Sequence, residues 1–162
     1  MHSRVFHLVT DKNEDKIDLA YELNENGFVG EVADYAVNIE EENNGYINGF
    51  DNSAEWFVES LQDRLKGFVT FSEDYGLAFT AGFKQKYFKD KYNKFLEYAK
   101  DITLDEFSSD GMLIYKIEST FESKYEFYVY YEDMYYTLDS FIREHANSHT
   151  KYYIKSIADY HC

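Results

Sequence analysis

The stretch that decides the fold is residues 52–65, NSAEWFVESLQDRL. Asn52 and Glu55 have the three-residue spacing of a capping box, with an asparagine in the place of the usual serine or threonine. Gly67 is placed to end a helix that begins at this box. Between the two, apolar side chains recur at the spacing of one helix face, at Ala54, Phe57, Val58, Leu61 and Leu65. The stretch therefore predicts an amphipathic helix.

The polar face of this helix carries a row of carboxylates. At roughly 100° per residue, Glu55, Glu59 and Asp63 lie above one another, opposite the apolar stripe. Trp56, the only tryptophan of the chain, flanks this row and lies off the stripe. Two interpretations of Trp56 stay open. Either a neighbouring segment covers it, or it is an exposed aromatic anchor in an acidic surface, since tryptophan is frequent among interface hot spots.

The composition and net charge limit the classes of protein to which this chain can belong. The 162 residues suit a single domain, 1–162, and 44% hydrophobic with 20% aromatic residues exclude a disordered acidic tail. The net charge of −15 disfavours direct binding to nucleic acid, which requires lysine and arginine against phosphates, and it disfavours anionic membranes. The same charge favours a basic protein as partner. One cysteine, Cys162, fits a reducing cytoplasm.

The charge is unevenly distributed along the chain. From Asp11 to Asp74 there are 17 acidic residues against four basic ones, a local net charge of −13. From Lys84 to Lys100 the balance reverses, with six lysines against two acidic residues. The N-terminal half of the chain is therefore acidic, and a short basic segment follows it.

The rest of the chain predicts strands in pairs with helices between them. This order indicates an α+β fold with a mostly antiparallel sheet built from hairpins and four to five helices packed on it. The predicted strands and hairpins are a strand at 4–10, a hairpin at 67–83, a second hairpin pairing 112–119 with 125–131, and a last strand at 152–157. The predicted helices are at 17–26, 31–42, 84–102 and 133–146, with a further capped turn at 103–106.

The predicted helix at 31–42 is acidic, with Asp34 on it and Glu40, Glu41 and Glu42 at its end. Each negative charge at the carboxyl end of a helix destabilises the helix by about 0.3 kcal/mol. Either this end is frayed and solvated, or its charges face a basic partner.

Residue patterns for catalysis or metal binding are weak. The chain has no nucleophile elbow, glycine-rich phosphate loop, CxxC, HExxH or EF-hand loop. His145 and His149 have helical metal-site spacing, but Asn147 and Ser148 weaken the helix between them. We expect no catalytic residue, no metal and no cofactor. The dense tyrosines at 125–136 have acidic neighbours, so they predict core lining or a protein-binding face instead of a nucleic-acid platform.

The sharpest hypothesis is a non-enzymatic acidic inhibitor whose carboxylates imitate nucleic-acid phosphates. In size, acidity and aromatic content the chain is similar to proteins that phages and mobile elements use against restriction or CRISPR systems, and it carries none of their motifs. The partner would be a basic nucleic-acid-binding enzyme. The residues predicted to bind it are Asp34, Glu40, Glu41, Glu42, Asp51, Glu55, Trp56, Glu59 and Asp63.

Charge density sets a condition on this hypothesis. Glu55, Glu59 and Asp63 place three charges over about 12 Å, whereas duplex DNA carries about seven phosphates on that length. The two acidic helices would therefore have to share a face, or a homodimer would have to double the row. The alternative is a protein-interaction module that binds through a tyrosine-rich face, and a small enzyme is a third hypothesis.

Overall fold

The computed structural model describes residues 1–39, 49–109 and 111–162. In this part of the chain, seven strands form one sheet in the order β3-β4-β7-β1-β5-β6, with β2 also paired to β7. Only β1 and β5 pair in parallel. The strands are β1 (His2–Val9), β2 (Tyr35–Asn38), β3 (Val69–Phe71), β4 (Gly76–Phe79), β5 (Tyr128–Tyr131), β6 (Met134–Thr137) and β7 (Lys151–His161). The predicted α+β fold with a mostly antiparallel sheet is confirmed.

Helices lie on both faces of the sheet. They are α1 (Leu19–Glu25), α2 (Phe28–Glu31), α3 (Phe50–Arg64), α4 (Phe83–Asp101), α5 (Leu104–Ser108), α6 (Met112–Phe121) and α7 (Leu138–Ser140), followed by a π-helical turn (Phe141–His145). Among the helices that the structure describes, none has the length and hydropathy of a membrane-spanning segment.

The two faces of the sheet support two cores. Successive side chains of a strand point to opposite faces, so Phe6 of β1 belongs to the larger core under α3 and Val5 to the smaller core under α1 and α2. Phe6 stacks on Phe57 of α3 with 4.2 Å between ring centroids. Because both faces are covered, β1 is buried almost throughout from Ser3 to Val9.

The amphipathic helix predicted at 52–65 is confirmed, but its predicted capping box is wrong. Helix α3 begins at Phe50, and its N-cap residue is Gly49, which has no side chain to cap the first turn. Phe50 is buried in the larger core, and this burial extends the helix two residues upstream of Asn52. Gly67 has a φ of 81° and follows the helix end, as its predicted position requires.

The predicted acidic helix at 31–42 is wrong. Residues 28–31 form one short turn, broken by Gly30 with a φ of 107°, and residues 35–38 form β2. Tyr35 to Asn38 pair with His161 to Ala158 of β7, so sheet hydrogen bonds replace the helical ones. Glu40, Glu41 and Glu42 lie outside the described residues.

The second hairpin is also predicted wrongly. Residues 112–121 form helix α6, because Leu113, Ile114 and Ile117 lie on one helical face and are half-buried. The hairpin instead joins β5 to β6, and its turn residues Glu132 and Asp133 both have positive φ. The predicted helix at 133–146 therefore begins only at Leu138, after β6, and ends as the π-helical turn Phe141–His145.

Several predicted elements are confirmed within a few residues. They include the first strand, the helix at 17–26, the hairpin of β3 and β4, the lysine-rich helix α4 and the last strand, which is longer than predicted. Thr103 caps α5 by accepting a hydrogen bond from the Glu106 backbone N–H, 3.2 Å, as the capping box predicts.

Candidate functional site

The carboxylate row of α3 is exposed. Glu55, Glu59 and Asp63 all face solvent, and none of them forms a hydrogen bond or ion pair with any residue that the structure describes. Their i, i+4, i+8 spacing puts neighbouring carboxylates about 6 Å apart along the helix. The row is therefore a regular line of negative charge available to a partner.

Trp56 beside this row is neither covered nor fully exposed. It keeps 45% of its surface in solvent. One side packs edge-on against Phe127, with 4.6 Å between ring centroids. The Arg4 guanidinium carbon lies 5.8 Å from the ring centroid. One side of the ring is therefore covered by Phe127 and Arg4, and the other stays exposed.

A buried ion pair between Arg4 and Asp159 lies beneath Trp56. Arg4 of β1 donates to the Asp159 carboxylate of β7, and its Nε donates to Ser53 Oγ of α3 at 3.4 Å. His2 Nδ1 lies 2.9 Å from the same Asp159 carboxylate. These contacts tie α3 to two central strands, so the tryptophan is presented on a rigid base.

A groove of about 260 Å³ opens next to Trp56. Arg64 and Glu126 form an exposed ion pair at its wall, 2.8 Å between Nη2 and Oε2. Aromatic side chains line the groove together with polar ones, a mixture typical of binding sites. The lining residues are Met1, His2, Ser3, Trp56, Ser60, Arg64, Tyr125, Glu126 and Phe127.

The other predicted site residues lie apart from this row. Asp34 directly precedes β2 at the end of the sheet, where its carboxylate is 3.3 Å from His161 Nδ1. Asp51 is exposed in the first turn of α3 and accepts a hydrogen bond from the Tyr75 hydroxyl. The structure therefore brings together Glu55, Trp56, Glu59 and Asp63, and no second acidic helix of the described residues extends their row.

Asp139 is the centre of a buried polar network that the sequence pattern does not predict. Asp139, 1% exposed, accepts hydrogen bonds from the Tyr87 hydroxyl at 2.9 Å, Lys91 Nζ at 3.0 Å and the Ser123 backbone N–H at 2.7 Å. Arg64 Nη1 donates to the same Tyr87 hydroxyl at 3.3 Å. Burial and the adjacent carboxylate raise the pKa of Tyr87, so this hydroxyl stays a donor. The only sequence signal was an aspartate inside the apolar run at 138–142.

Most of the tyrosine cluster at 125–136 is buried or half-buried, whereas Tyr125 is 51% exposed. Tyr128 and Tyr130 are buried, and burial raises the pKa of Tyr130 to about 12. Exposed apolar side chains occur elsewhere, on an arm made of the second half of α4 with α5 and α6. On this arm Leu104 is 81% exposed, Phe107 73% and Met112 70%.

His145 and His149, which have the spacing of a helical metal site, are not joined by further ligands among the described residues. The His145 ring packs on Tyr136, 4.2 Å between centroids. Among residues 1–39, 49–109 and 111–162, no three His, Cys, Asp or Glu side chains are grouped so that they could hold a metal ion.

His7 makes stability depend on pH. Burial lowers the pKa of His7 to about 4 from 6.5, and its Nδ1 has no hydrogen-bond partner in the described part of the chain. The unfolded chain therefore binds a proton that the folded chain excludes, and stability is lost as pH falls from about 6.5 towards 4. We expect a loss of about 2 kcal/mol in the free energy of unfolding between pH 7 and pH 5.

Urea unfolding of the wild type and of His7→Phe at the two pH values checks this. The variant has no imidazole at position 7 to bind the proton. Between pH 7 and pH 5 its free energy of unfolding should therefore fall by about 2 kcal/mol less than that of the wild type. Equal changes in both proteins would contradict the assignment.

Comparison of the chain with protein-family models, with curated proteins and with solved structures finds no match.

Proposed function

We propose that this protein is a non-enzymatic binding protein that docks the exposed face of α3 on a basic protein. The observation that carries the proposal is the half-exposed Trp56 beside three exposed carboxylates that lack partners among the described residues. A rigid aromatic anchor supplies contact area, and a charged rim around it steers a partner of opposite sign. The net charge of −15 acts in the same direction at long range.

The narrower form of the proposal is nucleic-acid mimicry, in which α3 occupies the basic groove of a restriction or CRISPR enzyme. Its support is the regular spacing of the α3 row. Three charges on about 12 Å remain fewer than the roughly seven phosphates of a duplex, and Asp34 lies at the sheet end instead of beside them. A mimic therefore needs further acidic surface from this chain or from a second copy. DNA that competes for the partner would favour this form.

A second candidate function is an interaction module that binds through apolar contacts. The observation favouring it is the arm, where Leu104, Phe107 and Met112 keep 70% or more of their surface in solvent. Exposed apolar patches mark interaction sites in many proteins. Salt separates the two candidates, because screening weakens a charged interface and leaves an apolar one almost unchanged.

Three immobilised proteins test the α3 proposal in a lysate of the native host. They are the wild type, Glu55→Gln/Glu59→Gln/Asp63→Asn, and the control Asp90→Asn/Glu97→Gln/Asp101→Asn, which changes the net charge equally on α4. We expect a basic protein that the wild type and the control retain equally. Its recovery on the α3 variant should fall about tenfold, since three rim charges together contribute about 1.4 kcal/mol.

The bound proteins are quantified by mass spectrometry. Equal recovery on all three proteins would contradict docking through α3. If Phe107→Glu abolishes the capture while the α3 variant retains it, the arm is the binding surface.

A further inference from the structure

The groove beside Trp56 lies at one end of the sheet, where four neighbouring strands meet. Strands β1 and β5 are parallel and both begin there, and the antiparallel β7 ends there. Strand β2 runs antiparallel to β7 and so begins at the same end. The topology therefore places Asp34, Cys162, Met1 and Tyr125 side by side, across three strand spacings or about 14 Å.

A second cavity of about 410 Å³ continues the groove along this sheet end. Both cavities are lined by Met1 and Tyr125, so these two side chains form the boundary that the cavities share. Tyr125 is 51% exposed, which leaves ring surface for a ligand. The second cavity also has Glu31 and Asp34 in its wall.

The loop that carries these two carboxylates is held in place. Phe28 is fully buried and packs edge-on against Tyr128, Tyr135 and Tyr160, with centroids 5.0–5.2 Å apart. Gly30 N–H donates to the Ala33 carbonyl at 2.8 Å, and Asp34 N–H to the His161 carbonyl at 2.7 Å. The wall is therefore pre-formed, which reduces the entropy lost on binding.

The two carboxylates in the wall of the second cavity suit an arginine side chain. Glu31 accepts one hydrogen bond from the Tyr135 hydroxyl at 2.9 Å, and Asp34 contacts one imidazole nitrogen. A carboxylate has about four acceptor positions, so both groups can accept more bonds. A planar guanidinium can bond to carboxylates through two N–H groups and stack on a tyrosine ring, which an ammonium does less well.

We infer that the two cavities form one docking groove for an extended, arginine-containing segment of the partner. The arginine side chain lies between Glu31, Asp34 and Tyr125, and the residues that follow it lie beside Trp56. A span of about 14 Å corresponds to about four extended residues. This inference rests on the proposed function, in which a basic partner docks next to Trp56, and it names the segment that the partner supplies.

The test uses an acetylated, amidated tetra-arginine peptide as probe. Trp56 is the only tryptophan, so its fluorescence reports binding at the groove. At about 50 mM NaCl we expect saturable binding that weakens about tenfold in Glu31→Gln/Asp34→Asn. Both replacements keep an oxygen that accepts from Tyr135 and His161. Tyr125→Ala should weaken binding as well, and the amide signals of Gly30, Asp34 and Tyr125 should shift in NMR spectra.

The control variant Asp90→Asn/Glu97→Gln changes the net charge equally and should bind the probe like the wild type. Equal weakening in both variants, or no binding up to millimolar probe, would overturn the inference. A tetra-lysine peptide that binds equally well would overturn the assignment of arginine. Failure of the α3 proposal looks different, because the neutralised α3 variant would then capture the same partners as the wild type.

Discussion

Asp139→Ala should destabilise the protein by about 3–5 kcal/mol, as expected when one partner of a buried ion pair is removed. Asp139 is almost fully buried and accepts from Tyr87, Lys91 and the Ser123 N–H. The alanine variant leaves these three donors without their acceptor. Because they belong to α4 and to the segment before β5, the loss should loosen the attachment of the arm to the sheet. Urea unfolding followed by circular dichroism measures the change.

An exposed ion pair next to this network provides the control. Glu126 pairs with Arg64 at 2.8 Å, and both side chains are at least one third exposed. Glu126→Ala should therefore change the free energy of unfolding by about 0–1 kcal/mol. If Asp139→Ala lowers the free energy of unfolding as little as Glu126→Ala does, Asp139 does not stabilise the attachment of the arm to the sheet.

Phe28→Ala should cost about 3–5 kcal/mol, in the range for large core aromatics. Phe28 is fully buried in the smaller core, where three tyrosine rings surround it. Its removal leaves a cavity under the loop at 28–34, which carries Glu31 and Asp34. The same variant should therefore also weaken binding of the arginine probe, while the Trp56 environment stays native.

Phe107→Ala is the matched control for this prediction. It removes the same side chain from an exposed position on α5, so the stability should change by no more than about 0.5 kcal/mol. Thermal or urea unfolding of both variants gives the comparison. A Phe28→Ala variant as stable as Phe107→Ala would contradict the packing of the loop against the smaller core.

The sequence predicts elements well where one periodicity dominates. Residues 54–65 repeat apolar side chains at helical spacing, and α3 forms there. Residues 35–38 lie in a stretch whose apolar side chains also have helical spacing. They nevertheless pair with the last residues of β7, and this contact is set by chain topology. Residues 112–119 alternate like a strand, but Leu113, Ile114 and Ile117 also share a helical face, and the helix α6 packs on α4, with 5.2 Å between the ring centroids of Phe121 and Phe95. Local pattern cannot foresee such long-range partners.

The candidate site could be predicted in part. Helical spacing alone placed Glu55, Glu59 and Asp63 in one row with Trp56 at its side. The groove could not be foreseen, since Met1, Tyr125 and Asp34 are distant in sequence and meet only through the order of four strands. The Asp139 network is also assembled from separate segments of the chain.

The most direct test of docking through α3 is the salt dependence of the affinity for the captured partner. The dissociation constant is measured from about 50 to 500 mM NaCl for the wild type and for Glu55→Gln/Glu59→Gln/Asp63→Asn. Docking through the carboxylate row predicts affinity that falls steeply with salt in the wild type and a clearly shallower slope in the variant. Equal slopes in the two proteins, or affinity that salt leaves unchanged, would contradict it.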